Sequence, residues 1–89
     1  MSWKIEIKPS AEKQYLKLDR KTRQRIKQAM LELEKIDDPV RHPSVRLLTG
    51  KLHGDFRLRI GKWRVLFTPD EQQQILRVYA IIPRGDAYK

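Results

Sequence analysis

The chain has 89 residues, with 20 Lys and Arg against 11 Asp and Glu, a formal net charge of +9, and no cysteine. A chain this short makes one domain, residues 1–89, that buries roughly 60 to 65% of its unfolded surface. Disulfides and thiolate metal sites are excluded, and His42 and His53 lack the close spacing of zinc or haem ligands, so no metal or cofactor is expected.

In chain order, "MSWKIEIK" alternates Trp3, Ile5 and Ile7 with charged residues and predicts a half-buried strand without a hydrophobic signal region. Ser10 is the expected N-cap of a short helix carrying Ala11, Tyr15 and Leu18 at helical spacing. Asp19 caps a second helix, whose apolar stripe is Ile26, Ala29, Met30, Leu33 and Ile36, so the two helices form a hairpin. Pro39 and Pro43 stop it, and Asp37 to Gly54 reads as a loop that Leu47, Leu48 and Leu52 tack to the core.

From Asp55 the period becomes two. Phe56, Leu58 and Ile60 oppose Arg57 and Arg59, Gly61-Lys62 turns the chain, and Trp63, Val65 and Phe67 alternate with Arg64, Leu66 and Thr68. "PDEQQQ" makes a second turn into Ile75 to Ile82, a near-continuous apolar run suited to a central strand and too short to span a bilayer. The expected fold is α+β: an N-terminal strand, a two-helix hairpin, then a three-stranded antiparallel sheet. Trp3 and Trp63 belong to its core, and a cytoplasmic location is expected.

The excess of positive charge points to a polyanion such as RNA, DNA, an acidic protein segment or an anionic membrane. Arg57 and Arg59, two apart on one strand, share a face, and Arg64 after a tight turn can join them. Guanidinium groups at all three positions suit phosphate, which their planar forks grip in a bidentate way. A solvated polar face is the competing explanation. Arg84 and Tyr88 follow the last strand.

"LTGKLHGDFRLRIGKWRVLF" followed by "RVYAIIPRGDAY" resembles the RelE/ParE superfamily of toxins from type II toxin-antitoxin systems, and more closely its RelE-like branch. The likeness runs from the opening strand through the "LDRKTRQRI" hairpin to the closing Arg-x-x-x-Tyr. It implies a ribosome-dependent endoribonuclease that cuts mRNA in the ribosomal A site, the ribose 2′-hydroxyl attacking the adjacent phosphate. By motif, Arg57, Arg59, Arg64, Arg84 and Tyr88 are the implied catalytic residues, and Lys51, His53 and Lys62 the RNA-binding ones. The implied partners are the ribosome, mRNA and a cognate acidic antitoxin, with no membrane.

Two departures bear on the chemistry. Some relatives carry lysine at the positions of Arg57 and Arg59, and Pro83 stands where many have histidine. An arginine cannot give up its proton, so Tyr88 is the first candidate base and His53 the second. Two alternatives stay open: a ParE-like toxin that inhibits DNA gyrase by binding without nuclease activity, and a general RNA-binding module, which lacks the exposed aromatic platform that stacking requires.

Overall fold

The computed structural model describes residues 3–48 and 55–83. The alternating start forms strand β1 (Lys4–Ile7), and Pro9 then opens helix α1 (Pro9–Leu16). Proline's fixed φ suits the first helical position, where its missing N–H would have no partner. This corrects the expected cap at Ser10. Lys8 takes the cap position without a side-chain bond, and the Ser10 hydroxyl donates to the Tyr79 carbonyl at 3.1 Å. Asp19 does cap helix α2 (Arg20–Lys35), accepting from the Thr22 N–H at 3.1 Å.

Residues 37–48 of the expected loop contain a 3-10 turn at Pro39–Arg41 and a short strand, β2 (Val45–Leu47). Three residues are too few for a period of two to stand out, and pairing with a neighbour makes the strand. Strands β3 (Phe56–Ile60), β4 (Trp63–Asp70) and β5 (Ile75–Pro83) follow. Gly61 turns β3 into β4 at φ +56, a left-handed conformation that glycine adopts without steric cost.

Among the described residues the sheet has five strands in the order β1-β5-β4-β3-β2. The three-stranded expectation is corrected at both edges. β2 joins β3 antiparallel, and β1 joins β5 parallel, with Lys4 opposite Ile75 and Ile7 opposite Val78. The two helices between β1 and the later strands supply the long connection that a parallel pair needs. β5 is thereby interior, as its apolar run requires.

β1 reaches only to Val78 along β5, and the cap residue Lys8 and helix α1 continue the bonding along that edge. The Lys8 N–H donates to the Val78 carbonyl at 2.8 Å, and Gln14 Oε1 accepts from the Ile81 N–H at 2.8 Å. The main core lies between helices and sheet, where Ala11, Ile26, Met30 and Leu33 meet Leu58, Val65, Phe67, Leu76, Val78 and Ile81. Trp3 is buried in it, Trp63 packs against it, and the Phe56 and Phe67 rings stack at 6.0 Å.

A smaller cluster, Leu48 and Leu66 with Tyr79, Ala80 and Ile82, occupies the opposite face. Leu47 does not tack its segment to the core. It lies opposite Phe56 on the helix-facing side but on the edge strand, where it stays half exposed, while Leu48 turns to the other face and is buried beside Leu66. Leu52 lies outside the described residues. No helix among the described residues is long and apolar enough to cross a membrane.

Candidate functional site

The face away from the helices carries the arginines. Residues paired across antiparallel strands share a face, so register alone assembles two rows. In one, Arg46 on β2 stands opposite Arg57 on β3, which stands opposite Leu66 on β4 and then Ala80 on β5. In the next, Arg59 on β3 stands opposite Arg64 on β4 and then Ile82 on β5. Each row runs from arginine near the open edge to apolar residues towards the middle.

At the edge this pattern opens a cleft of about 390 Å³ lined by Pro43, Ser44, Arg46, Arg57, Arg59 and Gly61. Arg46 and Arg59 are exposed and Arg57 is half-buried. Among the described residues no carboxylate pairs with any of the three. Guanidinium groups placed directly opposite one another repel, so an empty cleft carries a stability cost that a bound anion removes.

Arg64 belongs to the same face but not to the cleft wall. It is only 5% exposed, and its Nη1 donates at 2.9 Å to the carbonyls of both Gly61 and Trp63, bracing the β3–β4 turn from beneath. Lys62 is exposed in that turn. Lys51, His53, Arg84 and Tyr88 lie outside the described residues.

Arg46 was missed by sequence reasoning. It sits in a segment read as loop, and the one available signal was the three-residue alternation Val45-Arg46-Leu47. Tyr79, also on this face, cannot serve as a base: burial, followed by its 2.8 Å bond to the Asp55 carboxylate, pushes its phenol far above the ordinary value. Thr68 donates to the other Asp55 oxygen at 2.9 Å, so the carboxylate is fixed at the start of β3. His42 has both ring nitrogens engaged, Nδ1 accepting from the Ser44 N–H at 3.0 Å and Nε2 lying 3.4 Å from Glu32 Oε1. Among the described residues no group of three or more His, Asp or Glu is placed to hold a metal ion. The cleft can therefore grip a phosphate and stabilise added negative charge on it, while proton transfer needs a further group.

The family model described as the ParE toxin of type II toxin-antitoxin systems, parDE, matches residues 5–88. A sequence search of curated proteins finds no significant match. Among solved structures, the RelBE2 toxin-antitoxin complex of Mycobacterium tuberculosis superposes with a TM-score of 0.81 at 16% identity, covering 94% of this chain and 100% of that one. The archaeal RelE-RelB complex of Pyrococcus horikoshii gives 0.78 at 23% identity, covering 96% and 98%. The YoeB/ParE toxin of Agrobacterium tumefaciens gives 0.69 at 18% identity, covering 91% and 98%. At these identities the structural likeness is one of fold.

Proposed function

Because this chain belongs to the ParE toxin family of type II toxin-antitoxin systems, within the RelE/ParE superfamily, we propose that it is a ribosome-dependent endoribonuclease that cuts mRNA in the A site. The observation that carries this reading is the cleft in which Arg46, Arg57 and Arg59 have no carboxylate partner among the described residues.

In the proposed reaction the ribose 2′-oxygen loses its proton to a base and bonds to the adjacent phosphorus. The bond from phosphorus to the 5′-oxygen breaks, and that oxygen takes a proton from solvent. The products are a 2′,3′-cyclic phosphate and a 5′-hydroxyl. Negative charge grows on the phosphoryl oxygens during the attack, and Arg57 and Arg59 meet it with preorganised donors. Arg64 adds its charge from beneath and holds the turn. Arg84 keeps the role the resemblance implies, an additional clamp, and Tyr88, which the resemblance sets near the reacting nucleotide, is the first candidate base, with His53 the second. Lys51 and Lys62 contact the RNA strand.

No cofactor enters this scheme. The Mycobacterium and Pyrococcus relatives were solved with their antitoxins, and we assign this chain an acidic antitoxin as well, matched to its net charge of +9. The toxin acts in the cytoplasm in this reading.

A second reading, inhibition of DNA gyrase by binding, draws on the ParE family match. Primer extension on mRNA in ribosome complexes, run beside a gyrase supercoiling assay, separates the two. Cleavage that needs ribosomes, with gyrase untouched, is the expected outcome; intact mRNA with inhibited gyrase would promote the second reading. Tyr88→Phe then places the tyrosine. Loss of roughly 100- to 10,000-fold marks a base, and a small loss marks a ring that only stacks on the nucleotide.

A further inference from the structure

The first half of α2 holds Arg20, Lys21, Arg23, Arg25 and Lys27, with no acidic residue in its first turn. A helix N-terminus bears partial positive charge, so cations there are unfavourable, and Lys21 with Arg25 and Arg23 with Lys27 add like-charge repulsion at i,i+4. Glu32 and Glu34 stand towards the other end, where the dipole favours cations. Helix stability alone selects the reverse order.

Part of this basic run lines a groove of about 900 Å³ beside β3, with Lys21, Arg25 and Lys27 interleaved by Gln24 and Gln28. Among the described residues none of the three cations pairs with a carboxylate. Glu32, which also lines the groove, has Oε1 3.4 Å from His42 Nε2.

This groove meets the arginine cleft at the β3–β4 turn, Ile60 lining the first and Gly61 the second. Arg25 bridges them: a Cβ added at Gly61 would stand 3.1 Å from Arg25 Nη2. Glycine therefore meets two requirements here, the left-handed φ and room for a guanidinium group over the turn.

We propose that the α2 groove is a second binding surface for the sugar-phosphate backbone of RNA, continuous with the arginine cleft through Arg25. Lys21, Arg25 and Lys27 each neutralise a phosphate, and Gln24 and Gln28 donate to phosphate or ribose oxygens. The choice of RNA as the polyanion rests on the nuclease reading. An acidic protein segment fits the groove less well, because amphipathic partners anchor by apolar side chains. Its apolar side chains are Ala29 and the buried Ile60, and the exposed large apolar residues among those described, Leu16, Leu31 and Leu47, do not line it.

The test is an anisotropy titration of a short labelled oligouridylate over a series of salt concentrations, comparing the intact chain with the Lys21→Gln/Arg25→Gln/Lys27→Gln variant. The slope of log affinity against log salt should fall by about 2, from about 0.7 for each of three phosphates on a single strand. The thermal midpoint should hold or rise, since glutamine relieves the repulsion at the helix N-terminus. That combination separates a binding role from a structural one.

An unchanged slope overturns the proposal. So does a variant that keeps its RNA slope but loses affinity for an acidic peptide, which would give the groove to a protein. Ribosome-dependent mRNA cleavage by the unaltered chain is measured in parallel. Cleavage with an unchanged slope removes the groove and keeps the nuclease; a fallen slope in a protein that cuts no mRNA keeps the groove as an RNA surface and removes the nuclease.

Discussion

Arg77 and the cleft arginines are the same residue type on the same face of one sheet, in opposite company. Arg77 on β5 reaches Asp70 at 2.7 Å and Glu6 at 3.7 Å, both on flanking strands. Its bond holds the Asp70 carboxyl below the ordinary value of 3.8, and Asp70 in turn raises Arg77. Arg46, Arg57 and Arg59 have no such partner among the described residues; Arg46 stands opposite Arg57, and Arg59 opposite Arg64. A charge matched inside the fold can be explained by stability; a cluster left unmatched is explained by a ligand.

Removing the cleft arginines one at a time should have the largest effect. Arg57→Ala and Arg59→Ala should each lower ribosome-dependent cleavage about 100-fold or more, the scale of losing one preorganised charge-stabilising donor. Their thermal midpoints should stay level or rise as repulsion is relieved. Normal cleavage would return these residues to a solvated face.

Arg64→Ala should behave differently, because this side chain is already engaged. Losing its bonds to the Gly61 and Trp63 carbonyls should cost about 1.5–3 kcal/mol in urea unfolding, the range for hydrogen bonds from charged groups. Cleavage should fall with it. A variant as stable as the parent would show that the brace at the turn contributes nothing.

Arg77→Ala should lower stability less than Arg64→Ala, since its ion pairs are partly exposed and screened by solvent, and it should leave cleavage unchanged. Lost cleavage there would erase the distinction between the two ends of the sheet.

The smallest effect is a pH dependence. Asp70, paired with Arg77, and Asp19, bonded chiefly to the Thr22 hydroxyl and then its N–H, both have carboxyls lowered from 3.8. A lowered folded-state value means their stabilisation is present above the unfolded value and disappears as pH falls through the folded one. The thermal midpoint should therefore drop on acidification below about pH 4, and that drop should be shallower in Arg77→Ala. An identical acid profile in parent and variant would detach Asp70 from it.

Local chemistry was legible residue by residue. The Asp19 cap, the proline stop after α2, the Gly61 turn and the two-residue period of β3 and β4 each depend on near neighbours, so they could be read without the fold. Ser10 was misread because Pro9 competes for the same helix start. β2 was read as loop because three residues carry too little pattern, and with it Arg46 was lost from the site. The grouping of Arg57, Arg59 and Arg64 on one face was a register argument that the strand pairing supports, while their different burial was beyond it.

The longer elements, their apolar faces and the surplus of arginine were set by the residues alone, since these follow from backbone preference and the alternation of side chains along a strand. Which arginines remain available was settled by the packing of distant segments. Whether a guanidinium group meets a carboxylate, a turn carbonyl or open solvent depends on strand order and register between segments far apart in the chain. β2 brought Arg46 opposite Arg57, β1 brought Glu6 beside Arg77, and the β3–β4 turn folded two carbonyls over Arg64.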